Sequence, residues 1–152
     1  MGKEIDKDYK GKEIVVICVL KGAIFFTADL LKHIKTDTTI EFMRISSYSG
    51  TESTGTVNLN VGLDMDIKGK DVLIVEDIID TGCSLKFLQD YLTSKEPNSL
   101  KIAVLLDKKE RRTVDIDLDY KGFVIPNKFV VGYGFDIDNK YRNLTYIGNM
   151  KN

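Results

Sequence analysis

Uninterrupted apolar runs, rather than alternating ones, are the most regular feature of this chain. Ile14 to Leu20 and Val72 to Val75 contain no charged residue, as suits strands buried on both faces of a parallel sheet. A helix is predicted over Ala23 to Ile34, with Ile24, Leu30, Leu31 and Ile34 among its core candidates. A second is predicted where Leu85, Leu88 and Leu92, with Phe87 and Tyr91, recur at helical spacing. Further strands are expected at Ile40 to Ile45, at Thr56 to Leu63, where Val57, Leu59 and Val61 alternate, and at Ile102 to Leu106. Shorter ones are expected at Phe123 to Ile125, Phe129 to Val131 and Thr145 to Ile147. Strands that alternate with helices imply crossover connections. The predicted fold class is therefore α/β, a mostly parallel twisted sheet with flanking helices. Ligands of such sheets sit outside the carboxyl ends of the strands. Lys21-Gly22, the segment after Val75 and Asp107-Lys108 would all lie there.

At 152 residues, with no repeat, low-complexity tract or Pro-rich linker, the chain reads as one domain over residues 1–152. A net charge of -1 gives no global field to recruit nucleic acid or a membrane surface. No apolar run approaches membrane-spanning length, and Met1 to Lys12 is charged rather than signal-like. Two cysteines, Cys18 in an apolar run and Cys83 in a polar turn, build no disulfide framework, which fits a reduced, cytoplasmic setting. His33, the only histidine, falls late in the first predicted helix, where a cation suits the C-terminal dipole.

The chemistry concentrates after Val75. Glu76 and Asp77 stand side by side, Asp80 follows, and Thr81-Gly82-Cys83-Ser84 makes a small polar turn into the second helix. An acidic loop and then a helix N-terminus form a phosphate-sized anion pocket, because free N–H groups and the helix dipole favour negative charge. Carboxylates repel phosphate, so these acids make sense only if they grip sugar hydroxyls or a bridging cation. A sugar phosphate satisfies both halves. No Gly-x-x-x-x-Gly-Lys-Ser/Thr is present, so nothing supports an ATPase. Asp136-Ile137-Asp138-Asn139-Lys140 fails as a calcium loop, since lysine takes the fifth ligand position and no glycine takes the sixth.

The run Val72 to Leu85, with Glu76-Asp77-Ile78-Ile79-Asp80-Thr81-Gly82 at its centre, resembles the 5-phosphoribosyl-1-pyrophosphate (PRPP) signature of type I phosphoribosyltransferases. Within them it looks like the hypoxanthine-guanine branch. Cys83 and Ser84 depart from commoner residues but keep the turn small. The resemblance implies that Asp80, Thr81, Gly82, Cys83 and Ser84 hold the 5-phosphate, that Glu76 and Asp77 hold the ribose hydroxyls, and that Asp80 is the acid/base near purine N7. It also implies magnesium as cofactor, with Glu76, Asp77 and Asp136 as its ligand candidates.

Other segments allow two readings each. Leu20-Lys21-Gly22-Ala23 is a plain strand-helix turn or a phosphate cradle; the resemblance makes Lys21 and Gly22 the diphosphate loop, where the peptide before the lysine can be cis in relatives. Ser46 to Gly55 is a hairpin loop or a lid, and Ser47-Tyr48 matches the Ser-Tyr pair of the family's lid. Asp107 to Arg112 is a solvated charge run, unless Lys108 points into the site from its strand end. By resemblance Lys108 meets the exocyclic oxygen of a 6-oxopurine and Arg112 the diphosphate. Phe129 would stack on the base, Val130 would bond it through the backbone, and Arg142 would reach the diphosphate. Transfer of ribose 5-phosphate from PRPP to N9 of hypoxanthine or guanine is the implied reaction, and a homodimer or homotetramer the implied assembly. A xanthine-preferring transferase and a non-catalytic PRPP sensor are the alternatives. Relatives usually place an extra helix before the first core strand, and its absence is expected here.

Overall fold

The computed structural model describes residues 1–47 and 57–150. A six-stranded sheet has the order β3-β2-β1-β4-β5-β6, with β1 at Glu13–Leu20, β2 at Asp37–Ser47, β3 at Val57–Val61, β4 at Asp71–Ile79, β5 at Ser99–Asp107 and β6 at Tyr120–Val124. Every pairing is parallel except β2 with β3. Two crossovers wind in opposite directions from the centre: α2 (Ile24–Leu31) leads from β1 to β2, and α3 (Cys83–Thr93) from β4 to β5. Strand order therefore reverses between β1 and β4, and the crevice above their carboxyl ends is the place for a ligand.

The apolar runs are buried on both faces, as expected. Val15, Ile17 and Val19 of β1 and Val72 and Ile74 of β4 pack with Leu85, Leu88 and Leu92 of α3. The intervening Ile14 and Val16, with Leu73 and Val75, pack on the other face against Phe26 and Leu30 of α2. Neighbouring side chains of one strand thus serve two cores, which is why neither run alternates in polarity. Cys18 is buried in β1.

Three expectations change. A helix does precede the first core strand: α1 (Gly2–Asp8) sends Ile5 into the α2-side core, where Tyr9 joins it. Of the signature acids only Asp80 sits in the loop, because β4 runs through Glu76 and Asp77 to Ile79, pairing Glu76 with Val104 and Ile79 with Asp107. The terminal strand falls later than Thr145 to Ile147. β7 (Val130–Val131) meets β8 (Gly148–Asn149), since the register pairs Val130 with Asn149 and leaves Tyr146 exposed. Within the expected lid, Ser46 and Ser47 end β2. Tyr48 and the rest of the segment through Gly55 lie outside the described residues.

Leu88 is fully buried beneath α3 and pins that helix to the sheet. Leu88→Ala is expected to cost about 2–5 kcal/mol. Urea unfolding followed by circular dichroism measures this, with an unchanged m-value marking a loss of packing alone.

Candidate active site

Three strand ends converge. At the end of β1 the Leu20–Lys21 peptide is cis, and Gly22 lies so close to Asp77 that a Cβ there would collide with its carboxylate. Gly134, at φ +102°, presses in turn on the Gly22 carbonyl. Both glycines are required by close approach, and Gly134 also by its left-handed backbone.

At the end of β4, Asp77 N–H donates to Glu76 Oε1 (3.0 Å) and Ile78 N–H to Asp77 Oδ1 (2.7 Å). Both residues are half-buried, and the protein around them desolvates their carboxyls. Desolvation first, and the Asp77 charge second, hold Glu76 well above the ordinary carboxylate range. Asp77 is also raised by burial, against the hydrogen bonds from Glu76 and Ile78 N–H and the Arg142 charge. Two crowded acids gain from any cation or hydroxyl donor that arrives between them.

The turn then enters α3. Gly82 is its N-cap at φ +87°, and its Cα faces Val114, leaving no room for a side chain. Lys86 N–H is the first to bond back into the helix, to the Gly82 carbonyl at 2.8 Å. Thr81, Gly82 and Ser84 of this turn line a cavity of about 110 Å³ together with Glu76 and Asp80, among others, and Cys83 N–H donates to Thr81 Oγ1 at 3.4 Å. Cys83 turns away from this cavity, toward the Thr113 hydroxyl at 3.6 Å.

A second cavity, about 230 Å³, adjoins the first, with Asp80 lining both. Asp77, Ile78, Lys108, Phe129, Val130, Phe135 and Asp136 complete its wall. Lys108 is only 8% exposed, unlike Lys109, Glu110 and Arg111 beside it, so it is not part of a solvated charge run. Its Nζ lies 3.4 Å from Asp80 Oδ2. Phe129 is 53% exposed on the cavity wall, which leaves a ring face for a planar ligand.

Not every expected residue is placed as the sequence suggested. Arg112 pairs with the buried Asp107, Nη2 to Oδ2 at 2.9 Å, and donates to the Ile116 carbonyl (3.1 Å), so it braces the end of β5 instead of facing the crevice. Its neighbour Arg111 reaches Asp80 at 2.7 Å. Asp136 has both oxygens engaged, Oδ1 by Arg142 Nη2 at 2.6 Å and Oδ2 by Asn139 N–H at 2.8 Å, so a metal ion there competes with an arginine. Arg142 also donates to the Gly134 carbonyl (2.6 Å), and Lys21 Nζ to Asn139 Oδ1 (3.2 Å). Asn139 and Gly134 were not anticipated; the Gly132-Tyr133-Gly134 spacing was the signal that a tight backbone approach occurs there. A wider concavity, about 1210 Å³, is lined by α1, α2 and the segment after it, and β6, and no β4 acid reaches it.

An open parallel sheet with an anion-binding turn and desolvated acids at its switch point is the architecture of a type I phosphoribosyltransferase. The chain belongs to that family: the model of the phosphoribosyl transferase domain matches residues 1–138. It is 52% identical over 152 residues to hypoxanthine-guanine phosphoribosyltransferase of Streptococcus pneumoniae, covering 99% of this chain and 84% of the relative. With the enzyme of that name from Staphylococcus epidermidis it shares 51%, covering 99% and 85%. Among solved structures, a hypoxanthine-guanine phosphoribosyltransferase from Bacillus anthracis, with HEPES in its active site, superposes with a TM-score of 0.94 at 51% identity, covering 99% of this chain and 89% of that one. A hypoxanthine phosphoribosyltransferase from Staphylococcus aureus gives 0.94 at 50% identity, covering 99% and 82%.

Because the folded state raises the Glu76 carboxyl, Glu76 binds its proton more tightly when folded than when unfolded. The protein therefore loses stability as pH rises past the ordinary value of 4.5 toward the raised one. Glu76→Gln is expected to melt higher than the parent at pH 7, with the difference fading as pH falls toward 4.5. Calorimetric melts across that range check this; a lower melting temperature at pH 7 would contradict it.

Proposed function

We propose that this protein is a purine-salvage enzyme that transfers the 5-phosphoribosyl group of PRPP to N9 of hypoxanthine or guanine, releasing diphosphate. One observation carries the reading: two adjoining cavities share Asp80, one at a helix N-terminus and one walled by Lys108 and Phe129. The first suits a phosphate and the second a flat base, and their common wall is where the ribose of a nucleotide would lie.

The 5-phosphate sits against the N–H groups of the Thr81-to-Ser84 turn. Ribose hydroxyls donate to Glu76 and Asp77, whose acceptor capacity the site otherwise leaves under-used. Departure of the diphosphate builds positive charge on the ribosyl carbon, which these carboxylates favour. Lys21, held by Asn139, and Arg142, held by Asp136, supply positive charge to balance the leaving group. No covalent chemistry is asked of the protein; position and charge supply the acceleration. Asp80 exchanges a proton with N7 of the base. Lys108 donates to the 6-oxygen, and an amino group there would leave two donors facing each other, which disfavours adenine.

Magnesium fits this donor set. Glu76 and Asp77 are desolvated carboxyls, and this ion commonly takes one or two carboxylates with substrate phosphates and water. Bound with the diphosphate, the ion would supply positive charge to the leaving group. Free cysteines at Cys18 and Cys83 support a cytoplasmic setting, and no helix among the described residues is long and apolar enough to cross a membrane.

Purified protein with PRPP, magnesium and each of hypoxanthine, guanine, xanthine and adenine tests the reading by the nucleotide formed. Nucleotide from adenine alone, or from none, would overturn it. Asp80→Asn is expected to lower kcat on the order of 100- to 10,000-fold while PRPP binding changes little. A loss within about threefold would remove Asp80 from proton transfer. Lys108→Met is expected to raise KM for hypoxanthine and guanine about tenfold or more, as loss of a charged hydrogen-bond donor does, leaving KM for PRPP nearly unchanged. Steady-state kinetics with each substrate varied in turn separates the two effects.

A further inference from the structure

Asp80 is held by two cations that stand on different sides of it. Lys108 Nζ is 3.4 Å from Oδ2 and is buried beside the base cavity. Arg111 Nε is 2.7 Å from Oδ1, and its side chain is 46% exposed. Arg111 ends a short 3-10 turn (Lys109–Arg111) whose continuation is joined to the phosphate turn. Thr113 N–H donates to the Thr81 carbonyl at 2.9 Å, and Val114 packs on Gly82. The phosphate cavity itself offers only neutral donors, while Glu76 and Asp80 both line it. A phosphate monoester carrying nearly two negative charges thus meets carboxylates at its own subsite. Arg111 does not itself line that cavity but reaches one of these carboxylates, Asp80, through Nε; its two Nη groups make no hydrogen bond among the described residues.

We propose that Arg111 belongs to the phosphate subsite and selects for phosphorylated ligands. It holds Asp80 in the ligand-free protein and presents its Nη fork to the 5-phosphate of PRPP or of the nucleotide. A guanidinium suits this role because its planar fork meets phosphate oxygens two at a time. The inference rests on the proposed function, which supplies the 5-phosphate.

The test compares wild type with Arg111→Gln and Arg111→Lys in calorimetric binding of GMP and of guanosine, and in KM for PRPP and for hypoxanthine. The Gln variant is expected to bind GMP about tenfold more weakly and to show a KM for PRPP raised to a similar degree, with guanosine affinity and hypoxanthine KM within about twofold of wild type. The Lys variant should recover part of the loss, since it keeps the charge without the fork. It also carries the comparison if the Gln variant does not fold. Equal weakening of GMP and guanosine would assign Arg111 to structure alone, and a GMP change below about threefold would leave it outside the subsite; either overturns the inference. GMP binding requires no turnover. A wild-type protein that prefers GMP to guanosine yet transfers no ribosyl group would sink the proposed function and leave the role of Arg111 standing.

Discussion

Everything in the crevice answers to the crowding of two carboxyls at the end of the central strand. Glu76 and Asp77 are adjacent residues on β4 whose side chains leave the strand toward opposite faces, yet their carboxyls still interact, and the protein around them limits their hydration. Asp77 lies where a side chain of residue 22 would go, which obliges glycine at the end of β1. Gly22 is in turn met by Gly134, and the carbonyl of Gly134 accepts from Arg142, whose charge acts on Asp77. A closed circuit of contacts therefore runs from β4 to β1 to the segment after β7 and back. Its members carry little of the fold's apolar packing, yet each fixes where the next can sit.

Such an arrangement opposes stability, and the sheet is built to tolerate that. The two cores lie below the strand ends, one under α3 and one under α1 and α2, and both are filled by residues such as Ile17, Ile74, Val16 and Leu73 that are almost wholly excluded from water. Desolvating two acids at the rim lowers the margin that these cores supply without disturbing their packing. Positioning polar groups at the carboxyl ends of parallel strands separates the two demands in space.

That separation also explains what was legible in the sequence. Strands buried on both faces announce themselves as unbroken apolar runs, so β1 and β4 could be read directly, and the small-residue turn after β4 marked the helix N-terminus. Lys108 could be placed because one residue follows a strand end by necessity. The short terminal strands could not be fixed in this way: β8 contains only Gly148 and Asn149, and its position depends on register with Val130 and Val131, not on propensity. Nor does sequence say where β4 ends, because Ile78 and Ile79 extend its pairing past two acids that look like a loop.

The two arginines show the same limit at the scale of one side chain. Arg111 and Arg112 are adjacent and chemically identical, and nothing in their order distinguishes a brace from a ligand-facing group. The choice is made by Asp107. Its side chain is fully buried at the end of β5, where an unpaired carboxylate would be costly, and it takes the Arg112 guanidinium at 2.9 Å, with Lys121 at 3.7 Å. Arg112 is committed by that requirement, and Arg111, at the end of the 3-10 turn, is left to face Asp80. A buried acid thus decides which cation the crevice receives, and it does so from outside the crevice.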